Sequence, residues 1–175
     1  MLVSLRDPVA ADAAQHAAFP PSAEFIRLYG GDPSKVPPSS LARSERWLRE
    51  LSAYPYAKII EEDGVAVGHV RLHSLSAADR KARLAIGLFG EALVGRGIGR
   101  QAVLLALDHA FGEIGLHRVD LRVLAFNERA IRCYLACGFV HEGIEREAAF
   151  VARAWHDDWI MGVLAREHQA RRGAR

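Results

Sequence analysis

The segment Val94-Gly95-Arg96-Gly97-Ile98-Gly99-Arg100 joins a predicted strand to a predicted helix. Apolar residues follow it at helical spacing: Val103, Leu104, Leu107 and Phe111. The first N–H groups of a helix have no internal partners and lie at the positive end of the helix dipole. Glycines let a pyrophosphate approach the backbone, and Arg96 and Arg100 add positive charge. The junction therefore predicts an anion site.

The residues after the last glycine narrow the choice of anion. A nucleoside triphosphatase loop needs Lys-Ser or Lys-Thr there, whereas Gly99 is followed by Arg100 and Gln101. The dinucleotide fingerprint needs a glycine where Arg100 stands, near the start of a βαβ unit. A nucleotide-binding protein is thus disfavoured, and the loop alone leaves a purely structural turn open.

Strands and turns are predicted before the loop. Residues Ala82–Phe89 alternate as a half-buried strand, and Asp63-Gly64 between apolar runs predicts a hairpin. The hairpin strands are Tyr56–Glu61 and Val65–Leu72, and a polar connection spans 74–81. The residues before Tyr56 predict one short strand at Leu2–Leu5, then helices at Ala10–Ala18 and Glu24–Tyr29 and a third capped by Ser39 or Ser40.

The segment after the loop continues the alternation of strand and helix. A strand is expected around Val119–Val123, and Asn127 is placed to cap a helix over 128–137. Gly138 is predicted to end that helix, which lets Phe139 fold back onto Tyr134. Two last strands are predicted, at Glu142–Val151 and Trp155–Leu164, and the basic tail 166–175 is expected to fray. The whole pattern predicts an α/β (α+β) fold with a mixed sheet.

Composition excludes several classes of protein. The chain has 175 residues and a formal net charge of +2, which fits one domain and gives no reason to expect a nucleic-acid or membrane partner. No apolar run could span a bilayer, and the first residues contain no secretion signal, so a cytoplasmic location is expected. Cys133 and Cys137 are expected to be reduced packing residues, and no metal site is predicted.

Two motifs together resemble the GNAT superfamily of N-acetyltransferases. Residues 94–99 are similar to its Gln/Arg-x-x-Gly-x-Gly/Ala loop, with Val94 at the first position, and 127–139 are similar to its Asn-x-x-Ala-x-x-x-Tyr-x-x-x-Gly-Phe segment. The final hairpin resembles the branch of ribosomal-protein N-terminal (alanine/serine) acetyltransferases in three places: Arg146-Glu147-Ala148, His156-Asp157 and Met161. The resemblance covers roughly 56–164.

The resemblance implies one N-acetyltransferase domain over 1–175, with a mostly antiparallel, splayed sheet and helices on both faces. Residues 1–55 would form a helical acceptor side, 82–139 the acetyl-CoA-binding core and 166–175 a basic tail. The activity implied is direct transfer of an acetyl group from acetyl-CoA to an amine, with no metal. The acceptor would be a peptide N-terminus or a small molecule, and a homodimer through the last hairpin is possible.

Site residues follow from the resemblance. It implies that Tyr134 protonates the leaving thiolate, although a tyrosine packed under Phe139 is the structural alternative. The residues implied to bind the cofactor are Leu88, Phe89, Val94, Gly95, Arg96, Gly97, Ile98, Gly99, Arg100, Asn127 and Tyr134. For Asn127, a helix cap is the other role.

The general base stays open. Leu84 stands near the position where the family often has a glutamate, so His73, His156 or a water relay is considered instead. That replacement also leaves room for a non-catalytic acyl-CoA-binding sensor, which is the alternative function.

Overall fold

The computed structural model describes residues 2–173. The strands are β1 Val3–Arg6, β2 Tyr56–Glu62, β3 Val65–Ser76, β4 Lys81–Leu88, β5 Arg118–Leu124, β6 Val140–Val151 and β7 Ala154–Leu164. The helices are α1 Asp12–Ala17, α2 Ala23–Leu28, α3 Leu41–Ser52, α4 Ile98–Gly112, α5 Glu128–Cys137 and α6 Ala165–Gly173. A 3₁₀ turn at Glu91–Leu93 precedes the glycine loop.

One sheet contains all seven strands, in the order β1-β2-β3-β4-β5-β7-β6. Neighbours are antiparallel except β4 and β5, which are parallel and pair only where 81–83 face 118–120. From Leu84 onward, β4 has no pairing with β5, so the two strands separate toward their carboxyl ends. The predicted mixed, mostly antiparallel and splayed sheet is confirmed.

Helices cover both faces of the sheet. His69, Arg71 and His73 lie opposite Gly87, Ala85 and Arg83, so these residues share one face. The ring of His69 meets Trp47 of α3 there, at a centroid distance of 5.5 Å. The core lies on the other face under α4, and its fully buried side chains include Val70, Leu72, Val103, Leu107 and Val119.

Local sequence signals set the turns and helix ends. Asp63 and Gly64 both have positive φ, 50° and 83°, as the two-residue hairpin turn requires. Ser40 caps α3 by accepting a hydrogen bond from the N–H of Arg43. Gly138 ends α5 in the left-handed region at φ 102°, and Phe139 then donates its N–H to the carbonyl of Tyr134 at 3.1 Å. These predicted features are confirmed.

The C-terminal segment differs from its prediction. Fraying is wrong for the described part, because Ala165–Gly173 forms α6. His168 is buried against Phe111, and its Nε2 lies 2.6 Å from Oδ1 of Asp108. Arg171 donates to the carbonyl of Ala136. A tertiary hydrogen bond therefore holds a segment whose composition is polar, while residues 174–175 lie outside the described residues.

The model also bears on two smaller expectations. Strand β3 runs to Ser76, four residues beyond its predicted end, with a bulge between His73 and Ser76. None of the helices between residues 2 and 173 has the length and apolar character that crossing a bilayer requires.

Candidate active site

A large opening lies where β4 and β5 separate, and we call it the cofactor cleft. Its volume is about 770 Å³, and α4 and α5 form its other walls. Of the residues predicted to bind a cofactor, the cleft is lined by Leu88, Val94, Gly95, Gly97, Ile98, Gly99, Arg100, Asn127 and Tyr134. The sheet geometry thus brings together two motifs that are some thirty residues apart in the chain.

The glycine loop presents its backbone to this cleft. Gly95 and Gly97 have φ of 81° and 82°, which a residue with a Cβ adopts only at a cost. Gly97 is the N-cap of α4, and its carbonyl receives the N–H of Gln101. The earlier amides of this 15-residue helix have no helical acceptor, so they and the helix dipole face the loop. An anion can bind there.

Arginines supply the positive charge of the cleft. Only one of the two predicted arginines, Arg100, is among them. Among the described residues its lining has five arginines, Arg83, Arg100, Arg122, Arg129 and Arg132, against one carboxylate, Asp158. Arg96 does not line it and instead donates to Glu62 at 2.7 Å. Arg129 and Arg132 were missed by sequence reasoning, although their place on one helix with Tyr134 was a signal.

The amide of Leu88 lies at the end of β4, on the stretch that has no pairing with β5. It donates to the hydroxyl of Tyr29, at 3.1 Å. The next amide, that of Phe89, donates to the carbonyl of Val67 at 2.9 Å. Phe89 does not line the cofactor cleft. A ligand in the cleft can therefore compete for the N–H of Leu88, whereas that of Phe89 is committed to the sheet.

Tyr134 projects from α5 into the cleft. Its ring also meets that of Phe139 edge-on at 5.9 Å, so the packing role and exposure to the cleft hold together. Burial raises the pKa of the Tyr134 phenol, which keeps it protonated well above neutral pH. A protonated phenol at this place can donate to a leaving group.

Asn127 uses its side chain for structure. Oδ1 accepts the N–H of Ala130, which caps α5, and Nδ2 donates to the carbonyl of Leu28 at the end of α2. The predicted cap is confirmed. The same side chain fixes α2, and with it Tyr29, against the wall of the cleft.

A second opening, which we call the acceptor cavity, adjoins the first. It has a volume of about 200 Å³ and lies among α1, α2, α3 and the end of β4. Tyr29 and Leu88 line both openings and form the boundary between them. A molecule in the acceptor cavity would therefore meet one in the cofactor cleft beside the amide of Leu88.

Two histidines line the acceptor cavity, and neither was singled out from the sequence. Nδ1 of His16 lies 2.8 Å from Oγ of Ser44, and its ring stacks on Trp47 at 4.1 Å. Burial and the nearby Arg43 lower the pKa of His16. Burial, with Arg71 and His16 nearby, lowers the pKa of His69 to about 3. Both rings are thus neutral at pH 7.

The bases considered from the sequence lie elsewhere. His73 borders the cofactor cleft opposite Arg83, five strand residues or about 16 Å from Leu88. His156 borders neither opening, and its Nε2 donates to the carbonyl of Val151 at 3.2 Å. Leu84 is buried in the core.

Within residues 2–173, no three His, Cys, Asp or Glu side chains come together as a possible set of metal ligands. Cys133 and Cys137 carry free thiols, as predicted. Cys133 lines the cofactor cleft, and Cys137 is buried.

Comparison with known proteins gives the family. A sequence model of the acetyltransferase (GNAT) domain matches residues 3–140. Spermidine N(1)-acetyltransferase of Vibrio cholerae is 33% identical over 98 residues, which are 56% of each chain. The Bacillus subtilis protein YdaF, provisionally named a ribosomal N-acetyltransferase, is 31% identical over 105 residues, 60% of this chain and 57% of its own. The matched stretches thus span little more than half of these relatives.

Solved structures agree on the fold. The structure of spermidine N-acetyltransferase from Vibrio cholerae in complex with CoA and spermine superposes with a TM-score of 0.79 and 22% identity, covering 95% of this chain and 98% of that one. The ribosomal relative supports the predicted branch, but it matches no better than the spermidine enzyme does. The match to the family model covers most of the chain, and the chain therefore belongs to the GNAT acetyltransferase family.

Proposed function

We propose that the protein transfers an acetyl group from acetyl-CoA directly to an amine. The observation that carries the proposal is the meeting of three groups in one cleft: the amides at the start of α4, the amide of Leu88 and the phenol of Tyr134. The family uses acetyl-CoA, and this set fits it. The glycine loop and the arginines suit a pyrophosphate, and the open end of β4 suits an extended arm.

The residues of the cleft would then divide the work. The backbone of the glycine loop and the side chain of Arg100 bind the pyrophosphate, whereas Arg96 stays paired with Glu62. The N–H of Leu88 orients the acyl carbonyl and stabilises its developing negative charge. Acetyl-CoA supplies the activated acyl group. Tyr134 gives a proton to the departing thiolate. Because burial raises the pKa of its phenol, that proton is present at neutral pH.

The amine has to be neutral before it attacks. We assign to His16 the role of the base that accepts the proton of the amine. His16 lines the acceptor cavity, and its Nε2 makes no hydrogen bond within residues 2–173. The lowered pKa keeps the ring neutral at neutral pH, and in the tautomer in which Nδ1–H donates to Oγ of Ser44, Nε2 is free to accept a proton. His16→Gln should lower turnover most near pH 7, and high pH should restore it as the amine loses its proton unaided. Equal losses at all pH values would contradict the assignment.

The domain organisation fits this division. The acceptor side corresponds to 1–55, which contains α1, α2 and α3, and the acetyl-CoA-binding core to 82–139 within a single domain over 1–175. A homodimer through the last hairpin is supported by strand β6 at the sheet edge and by the exposed Ile144, Phe150 and Trp155. The cytoplasmic location stays a prediction.

Thiol release tests the proposal. Protein, acetyl-CoA and a panel of peptides, amino acids, polyamines and aminoglycosides would be mixed and free thiol measured, with ATP and NAD as competitors. We expect release above background with at least one amine class and no competition by ATP or NAD. Acetyl-CoA binding without release for any amine would favour the non-catalytic sensor. Competition by ATP or NAD would point to a nucleotide-binding protein.

A further inference from the structure

We propose that the thiol of Cys133 is a modification site in the wall of the cofactor cleft, where a disulfide of coenzyme A attaches one CoA moiety as a mixed disulfide. The attached moiety then blocks acetyl-CoA until a thiol removes it. The inference goes beyond acetyl transfer and requires only that the cleft binds coenzyme A. The shared chemistry is that of a small anionic disulfide, of which glutathione disulfide is another source.

Helix geometry places Cys133 on the cleft side of α5. Asn127, Ala130 and Tyr134 line the cleft from this helix. Cys133 lies three residues after Ala130 and directly before Tyr134, so it shares their face. It is only partly buried and lines the cleft, whereas Cys137, one turn later, is fully buried and does not. One thiol of the pair is therefore open to a ligand.

The buried thiol fixes the pair beside the anion site. Sγ of Cys137 donates to the carbonyl of Arg100, in the first turn of α4, at 3.6 Å. This bond holds α5 against the helix start at which the glycine loop presents its amides. Arg100 also lines the cleft and makes no salt bridge with a residue between 2 and 173. A disulfide that carries phosphates therefore meets an available positive charge in the part of the cleft that contains a thiol.

The same two neighbours make Cys133 the more reactive thiol. The hydrogen bond with Cys137 lowers the pKa of the Cys133 thiol, and the charge of Arg100 lowers it further, while burial acts against both. For Cys137, the bond with Cys133 and burial raise the pKa. Because the thiolate is the nucleophile in disulfide exchange, Cys133 is the residue that reacts.

The reaction is a single thiol–disulfide exchange. The thiolate of Cys133 attacks one sulfur of the CoA disulfide, so that a new S–S bond forms and the old S–S bond breaks. One CoA moiety stays on Cys133, and the other leaves as a thiolate and takes up the proton that Cys133 gave to water. Cys133 is oxidised, and the CoA disulfide is reduced. Neighbouring turns of one helix are poorly placed for a disulfide, so Cys137 does not displace the attached moiety.

Intact-mass spectrometry tests the inference on the reduced, desalted protein. We expect CoA disulfide to add one CoA moiety, peptide mapping to locate it on Cys133, and dithiothreitol to remove it. Saturating acetyl-CoA should slow the addition about tenfold or more, because it occupies the cleft. Titration calorimetry should show that the modified protein no longer binds acetyl-CoA and that dithiothreitol restores binding.

Other disulfides distinguish a CoA site from a merely reactive thiol. Cystamine is cationic, and glutathione disulfide is anionic but has no phosphate. At low salt, each should react about tenfold more slowly than CoA disulfide, because the cleft concentrates polyanions. Arg100→Gln should reduce the advantage of CoA disulfide over cystamine about fivefold. Arg49→Gln is the control, since Arg49 is exposed on α3 and does not line the cleft.

Variants of the two cysteines assign the site. Cys133→Ser should acquire no CoA moiety, and its affinity for acetyl-CoA should be the same before and after treatment with CoA disulfide. Cys137→Ala retains the reactive thiol and should still acquire one moiety. The addition should be slower, since the hydrogen bond that lowers the pKa of Cys133 is lost.

Four results would overturn the inference: no addition by CoA disulfide, addition to Cys137, addition at the same rate with and without acetyl-CoA, or glutathione disulfide or cystamine reacting as fast as CoA disulfide. These results concern the thiol alone. Acetyl transfer would fail separately, by the absence of thiol release from acetyl-CoA in the presence of any amine.

Discussion

The hydroxyl of Tyr29 accepts the backbone N–H of Leu88 at 3.1 Å, and so occupies the amide that an acyl carbonyl would need. Binding of acetyl-CoA must exchange one hydrogen bond for another at this point. Tyr29→Phe removes the competitor, and since one neutral hydrogen bond is worth about 1 kcal/mol, affinity for acetyl-CoA should rise about fivefold. Titration calorimetry measures this. Unchanged or weaker affinity would show that the exchange does not occur.

Tyr134 should matter for turnover and not for binding. Tyr134→Phe removes the proton donor and should lower kcat about 100-fold, at the lower end for general acid catalysis, with the dissociation constant of acetyl-CoA unchanged. Steady-state kinetics and equilibrium titration separate the two. A normal kcat in a folded variant would remove Tyr134 from the mechanism.

The pH profile provides a second test of Tyr134. Because the pKa of the Tyr134 phenol is raised, the phenol keeps its proton through the alkaline range. It loses that proton only above the ordinary tyrosine pKa of about 10. Turnover should therefore rise as the amine deprotonates and show no fall below about pH 10. A decline beginning near pH 8 would indicate another acid.

Gly97 should be intolerant of a side chain. Gly97→Val places a β-branched residue at φ 82°, beside the anion site, and should weaken acetyl-CoA binding at least tenfold through strain and steric conflict. Gly112→Ala is the control, since an added Cβ there meets open space away from the cleft. If the valine variant is folded and binds normally, the loop does not hold the cofactor.

Helix α6 should contribute to stability through His168. His168→Ala breaks the 2.6 Å contact with Asp108 and leaves a void beside Phe111, which should cost about 2–3 kcal/mol of unfolding free energy. Gln169→Ala, on the exposed side of the same helix, should cost little. Urea unfolding of both variants measures the difference. Equal stability would mean that α6 is not docked.

Local signals in the sequence predicted most of the fold. Three predicted features depend only on neighbours within a few residues: the Asp63-Gly64 turn, the cap of Asn127 and the left-handed Gly138. The local sequence is therefore enough to predict them. The docking of α6 does not, because it depends on Asp108, sixty residues away. The tail therefore looked like a polar segment free to fray.

The candidate site shows the same difference between features set by local sequence and features set by tertiary packing. The cofactor cleft could be predicted because two contiguous motifs form most of it. The acceptor cavity could not, because His16, Arg43 and His69 come from α1, α3 and β3 and meet only through tertiary packing.

One measurement tests acetyl transfer most directly. Protein would be incubated with ¹³C-acetyl-CoA and the amine that releases most thiol, and the products would be measured by mass spectrometry. We predict one labelled acetyl group on the amine nitrogen for each thiol released. Thiol release accompanied by free ¹³C-acetate, with the amine unlabelled, would show hydrolysis of the thioester and would contradict acetyl transfer.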